Sequence, residues 1–207
     1  MTINKWGGFA SFLLAVSFIT ASWIYLTGNL RDSIGVFTTY DLADFLYGPV
    51  VSASLITVIY VLRERIGKSA FQRMDLTLLA AVLSAAGMAA VAFIRASNRH
   101  YHLIHPELNL EIAAMVLIIL TTLVAGMNSL GFHFLGWGFV LLGSASWSSR
   151  LFPRLLNVLY FAAGIAGMFV YLFEELEELV LLLGTIPGVC QGILLLRDAA
   201  HQSVGEG

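Results

Sequence analysis

Between Ile112 and Ser149 the chain carries no formally charged side chain. Arg150 and Arg154 follow, with Pro153 between them, and the next charge is Glu174. A membrane-spanning helix needs about 20 consecutive apolar residues to cross a hydrocarbon core ~30 Å thick. The first uncharged run is nearly twice that length, and the run after Arg154 matches one span. A water-facing surface cannot be built from such runs. The Arg-Leu-Phe-Pro-Arg segment between them reads as a connection at a membrane surface.

Composition agrees. The chain is 58% hydrophobic and 12% charged, with mean hydropathy +0.85, whereas a soluble domain carries about 25% charged residues. At about 30 residues per span and connection, 207 residues hold six helices and not eight. The net charge of -2 offers no electrostatic footprint for nucleic acid. The single cysteine, Cys190, excludes a disulfide framework and a cysteine metal site. Residues 1–23 have the outline of a signal peptide. The apolar run continues to Leu26 without a small-residue cleavage site, so it is taken as the first span.

The expected fold class is all-α, a polytopic integral membrane helix bundle. It has six transmembrane helices in one domain over 1–207, the fourth unusually long or broken. The spans are expected near 7–27, 45–62, 75–94, 111–147, 155–173 and 179–196. Ser33 to Leu42 forms a polar linker, and Asp41 and Asp44 precede the second span, where carboxylates suit a helix N-terminus. Arg95 to Glu111 forms a polar connection. The long fourth segment is counted as one traversal by the bias of basic residues toward the cytoplasm. One traversal puts Lys5, Arg63, Arg65, Lys68, Arg73, Arg150, Arg154 and Arg197 on one side and only Arg31, Arg95 and Arg99 on the other, eight against three. Two traversals give five against six. The expected topology is therefore a multi-pass protein of the cell membrane with both termini cytoplasmic. A helix over 112–147 is roughly 54 Å long, so a break around Gly126 to Gly131 or a protruding end is expected.

Few residues suggest chemistry. His100, His102 and His105, followed by Glu107, are the densest group of metal-ligand types and could hold zinc. The ordinary alternative is a solvated polar loop. His133 lies in an apolar stretch with Asn128 five residues before it. An ionisable residue inside a membrane segment is a functional candidate, against the alternative of a neutral imidazole bonded to a neighbouring helix. Gln191 can hydrogen-bond across helices. Gly184, Gly188 and Gly192 repeat every four residues and open one helix face to close approach, within the chain or in a homodimer. Glu174, Glu175, Glu177 and Glu178 could gather cations at a mouth, or form a solvated connection.

Three stretches resemble a known family. They are Phe134-Leu-Gly-Trp-Gly-Phe-Val-Leu-Leu-Gly, Ser148-Ser-Arg-Leu-Phe-Pro-Arg-Leu-Leu and Tyr160-Phe-Ala-Ala-Gly-Ile-Ala-Gly. Together they are similar to the domain of unknown function 4386 family of small bacterial membrane proteins, although Asn157 stands where that family has glycine. The resemblance implies a six-helix fold and carries over no catalytic residue. The function expected from the residues is a non-enzymatic membrane bundle, an accessory subunit or a binder of a lipid or small apolar ligand between helices. Its partners would be the bilayer and a membrane protein or a second copy. The alternatives are a metalloenzyme built on the His100/His102/His105 loop, and a channel or carrier with His133 lining the route.

Overall fold

A computed structural model of the chain describes residues 3–27, 33–34, 37–104, 110–173 and 175–205. Helix α1 is Ile3–Thr27. Ser33–Ile34 (β1) and Phe37–Thr38 (β2) pair as a two-residue antiparallel ladder. Thr38 then opens α2, Thr39–Phe45, with a reciprocal cap. Its backbone N–H donates to Asp41 Oδ2 at 2.7 Å, and the Asp41 N–H donates to Thr38 Oγ1 at 3.3 Å. This box satisfies two donors that a helix start leaves orphaned. It also starts the helix earlier than expected, so Asp41 and Asp44 lie inside it rather than ahead of it.

A π turn, Leu46–Val50, joins α2 to α3, Val51–Ile66, without a break. Pro49 sits in that turn and has no N–H to give the carbonyl four residues back. Widening the turn absorbs the loss. Gly67, at φ 59°, ends α3, and a 3-10 turn, Gly67–Ala70, leads into α4, Phe71–Ile104. Helix α4 runs ten residues past the expected end of the third span. Arg95 and Arg99, one helical turn apart, find partners on α1 and α2, so the segment expected as a polar connection is helical as far as Ile104.

Helix α5 is Leu110–Ser149, 40 residues without interruption. Of the two expected alternatives the unbroken one holds: there is no break near Gly126, and the helix is about 60 Å long. Helix α6 is Arg154–Met168 and is shorter than expected, with turns over Phe169 to Phe173 replacing its last residues. Helix α7, Leu176–Gly205, continues past Arg197 and Asp198. The helices pack in a closed ring, α1 on α3, α3 on α4, α4 on α5, α5 on α6, α6 on α7 and α7 on α1. Among the described residues five helical runs are long and apolar enough to cross a membrane: Ile3–Tyr25, Thr39–Ile66, Phe71–Tyr101, Ile112–Ser149 and Leu176–Ala200, with α6 a shorter apolar helix beside them.

The outer helix faces are apolar, as suits helices able to cross a membrane. On α1, Trp6, Phe9, Leu13, Val16, Ile19 and Trp23 face outward, each at least half exposed, while Ser11, Ala15, Ser17 and Ala21 are buried. The same helix also buries Leu14, Phe18 and Ile24, so it carries large apolar side chains on its outer face as well as its inner one, unlike a helix with a water-facing polar stripe. Such helices associate by close packing and hydrogen bonds, because lipid tails are as apolar as leucine.

Glycine provides the close packing. A Cβ on Gly136 of α5 would lie 2.6 Å from the carbonyl oxygen of Gly164 and 2.6 Å from the nitrogen of Met168, both on α6. A Cβ on Gly167 would lie 2.9 Å from Gly136 Cα. The two backbones therefore touch. The glycines of α7 are looser. A Cβ on Gly188 would meet Ala15 Cβ at 3.7 Å and Ser11 O at 3.8 Å, ordinary contact with α1, whereas Gly192 lies against Phe12 and Gly184 against Phe139. Gly136→Ala should cost about 1–3 kcal/mol through overpacking. Gly188→Ala should be neutral, or more stable by up to about 1 kcal/mol from helix propensity. Thermal melting of the detergent-solubilised variants checks this contrast.

Candidate functional site

Among the described residues, three groups of polar side chains each bring together three elements of the bundle. The first joins α1, α2 and α4. Asp44, 1% exposed, accepts from the Tyr25 hydroxyl through Oδ1 and from Arg99 Nη2 through Oδ2. Arg99 also holds Asp41 Oδ1, with Nη2 at 2.8 Å and Nε at 3.2 Å. His100 Nε2 approaches the same oxygen at 3.7 Å. The Arg95 guanidinium lies 5.1 Å from the centre of the Tyr25 ring. One guanidinium thus closes on two carboxylates from a single face of α2, where residues three apart are neighbours. A carboxylate as buried as Asp44 is tolerable only with its charge and lone pairs answered, and here Arg99 and Tyr25 answer both oxygens.

The second group is a chain of three residues. Tyr47, in the π turn, donates to Asn128 Oδ1 at 2.5 Å, and Asn128 Nδ2 donates to Glu177 Oε2 at 2.8 Å. It ties the start of α7 to the middle of α5 and to the turn below α2. Glu177, and Glu178 beside it, lie in the first turn of α7, where a helix favours acids. The third group is at mid-bundle. Gln191 of α7 accepts from the Tyr160 hydroxyl of α6 and donates to Ser11 Oγ of α1 at 3.0 Å. Ser11 in turn donates to the Gly7 carbonyl at 2.9 Å. Gln191 is 1% exposed, so its amide serves as a link among three helices rather than as a surface for a ligand.

His133 does not join Asn128. It sits half-buried where α6 ends. Its Nδ1 is 3.0 Å from the Met168 carbonyl, and its Nε2 accepts from Trp137 Nε1 at 3.2 Å. Since Nε2 is the acceptor, the proton resides on Nδ1 and is donated to Met168. That carbonyl is one that a helix end leaves over, because the Leu172 N–H turns to Phe169 O instead. His133 is therefore positioned as a cap on α6.

Positions 100 and 102 are both helical, where residues two apart do not share a face. The side chain of His102, together with His105 and Glu107, lies outside the described residues. Among the described residues no group of three or more His, Cys, Asp and Glu is placed to hold a metal ion. In the sequence Asp44 stands out only as a helix-start carboxylate and Arg99 only as an outer charge, while Tyr25 and Tyr47 do not stand out at all. The signal was present in the spacing: Asp41 and Asp44 three apart, Arg95 and Arg99 four apart, each pair on one helical face.

A groove of about 350 Å³ runs between α1 and α7, lined by Phe18, Ile19, Ser22, Trp23, Glu178, Leu181, Leu182, Thr185 and Ile186. Its walls are mainly aliphatic and aromatic, with Ser22, Thr185 and Glu178 as its polar points. Compared with known proteins, the chain matches no family model, no curated protein and no solved structure.

The first group makes a quantitative expectation. Arg99→Leu alone strands Asp44 and should cost about 3–5 kcal/mol, the cost of breaking one partner out of a buried pair. Combining Arg99→Leu with Asp44→Leu should recover a large part of that loss. A double variant no more stable than the single one, in thermal or denaturant melts, would contradict the pairing.

Proposed function

We propose that the chain is a multi-pass protein of the cell membrane and that it binds a lipid or small apolar ligand between α1 and α7, without catalysing a reaction. The observation that carries this reading is the groove. It combines apolar walls with a few convergent polar groups, the make-up of small-molecule sites in general, and it opens through helix faces clothed in apolar side chains. An acyl chain suits Phe18, Ile19, Leu181, Leu182 and Ile186. A hydroxyl or cationic head suits the end at Trp23 and Glu178.

In this reading the chain crosses six times, with α6 and the turns after it as the fifth crossing, and both termini are cytoplasmic. The resemblance to the domain of unknown function 4386 family implies the same count. The basic residues Arg63, Arg65, Arg73, Arg150 and Arg154 then mark the cytoplasmic end, while Asp41, Asp44 and Glu177 mark the outer one. A second form of the same proposal, an accessory subunit, is favoured by α5. Beyond the end of α6 its Ile112, Met115, Ile118 and Ile119 are 55%, 67%, 67% and 62% exposed, a long apolar surface suited to another transmembrane helix.

Two measurements test these proposals. Native mass spectrometry of the protein released from mild detergent should show a retained lipid. Ser22→Phe, which fills the groove from the α1 side, should abolish retention at an unchanged melting temperature. Equal retention by the filled variant would rule the groove out. For topology, single cysteines at Ser69 and Glu175, in a chain with Cys190 replaced, should be labelled from opposite sides of the membrane. Labelling from the same side would contradict six crossings.

A further inference from the structure

We propose that the chain holds a second binding site, at the α5–α6 junction, for the phosphate group of an anionic phospholipid. The site is independent of the α1–α7 groove and lies at the other end of α6 from His133.

A cavity of about 660 Å³ opens there, lined by Trp147, Ser148, Arg150, Phe152, Pro153, Arg154 and Asn157. Neither Arg150 nor Arg154 has a carboxylate partner among the described residues. Arg73, from α4, does not line this cavity but bonds one of its lining residues, Ser148. Its Nη1 is held by Ser148 Oγ at 2.8 Å, Ser144 Oγ at 2.9 Å and the Ser144 carbonyl at 3.1 Å, all of them neutral. The contrast with the neighbouring basic turn is sharp. There Arg63 is paired with Asp75 and Glu64, and Arg65 with Asp198. The charges of Arg63 and Arg65 are answered within the protein, while Arg150 and Arg154 line a cavity.

The backbone points the same way. Arg150 has φ 55°, the one described non-glycine residue in the left-handed region. It stands just past the end of α5, and the following Leu151 N–H returns to Ser146 O at 3.2 Å. Glycine is the favoured residue at such a helix end. A non-glycine side chain in that conformation is uncommon and carries a backbone cost. The side chain kept is a guanidinium, whose forked donors match two phosphate oxygens. Three residues on, Pro153 occupies the N-cap position of α6 without a side-chain cap, and the first-turn N–H groups of that helix add partial positive charge. Trp147, half exposed on the cavity wall, is the residue type that settles at headgroup depth beside basic side chains. That combination favours a phosphate carried by a lipid over one free in solution.

The test is a thermal-shift titration of the full chain in detergent with three probes: short-chain phosphatidylglycerol, the matching short-chain diacylglycerol, and inorganic phosphate. Phosphatidylglycerol should raise the melting temperature and diacylglycerol, which has no phosphate, should not. Inorganic phosphate reproducing the shift at comparable concentration would keep the site but assign it to a soluble phosphate. Arg150→Gly suits the backbone at φ 55° and so should fold. Combined with Arg154→Gln it should weaken the response by roughly tenfold for each charge-assisted hydrogen bond removed. Arg65→Gln, which removes a basic residue paired with Asp198, should leave the response intact, as should Ser22→Phe in the α1–α7 groove. An equal shift in the double variant, a shift with diacylglycerol as large as with phosphatidylglycerol, or an equal loss in Arg65→Gln would overturn the proposal.

Discussion

Helices whose outer faces are phenylalanine, leucine and isoleucine gain nothing from hiding those faces against one another when the surroundings are equally apolar. That constraint governs the rest of the molecule. Contact must come from backbones brought close enough for dense van der Waals packing, and from polar groups that have no water to turn to. Both devices are present and are segregated. The α5–α6 pair is joined by Gly136, Gly164 and Gly167, where the two backbones meet. The α1–α2–α4 corner is joined by Asp44, Arg99 and Tyr25, where charge and hydroxyl meet. Gln191 joins α1, α6 and α7 near the middle with one amide.

These links differ in what they specify. A glycine contact fixes distance but tolerates sliding by one small residue. An ion pair with two fixed oxygens fixes rotation as well. Arg99 meets both Asp41 and Asp44, so α2 cannot turn about its axis without losing one of them. His133 adds a third kind of link, a side chain that takes over the carbonyl at which α6 stops. The ending of α6 is thus satisfied from α5, and the chain after it is released to turn toward Glu177.

Much of this architecture is legible in the amino-acid sequence. The absence of charge between Ile112 and Ser149 predicts a fourth helix that is unusually long or broken, and one unbroken helix covers Leu110–Ser149. The glycine ladder of α7 predicts an open face, and that face is turned to α1 at Gly188 and Gly192. The features that escape a reading of the sequence depend on pairing across distance. Arg99 and Asp44 are 55 residues apart, and nothing local tells a carboxylate in a loop from one buried under a guanidinium. For that reason the segment after Ile94 reads as a polar connection, although it is helical to Ile104 with Arg95 and Arg99 packed on α1 and α2. The end of α6 is hidden for a similar reason, since Phe169 to Phe173 are as apolar as the helix before them. Asn128 and His133, neighbours in sequence, answer to different helices because five positions carry them to different faces of α5.

The π turn at Leu46–Val50 has a bearing on how this corner can vary. An extra residue accommodated in one turn rotates the helix before it by roughly 100° relative to the helix after it. Tyr47 within the turn bonds Asn128, Asp44 just before it bonds Arg99, and Ser52 just after it donates to the Ala85 carbonyl at 2.8 Å. The turn therefore acts as a phase shifter between two halves of one helical run, each keyed to a different depth of the bundle. Removing a single residue there would leave every side chain in place along the sequence while swinging the acidic half of the helix out of phase with the arginine that receives it. Length, rather than composition, is what this short segment contributes.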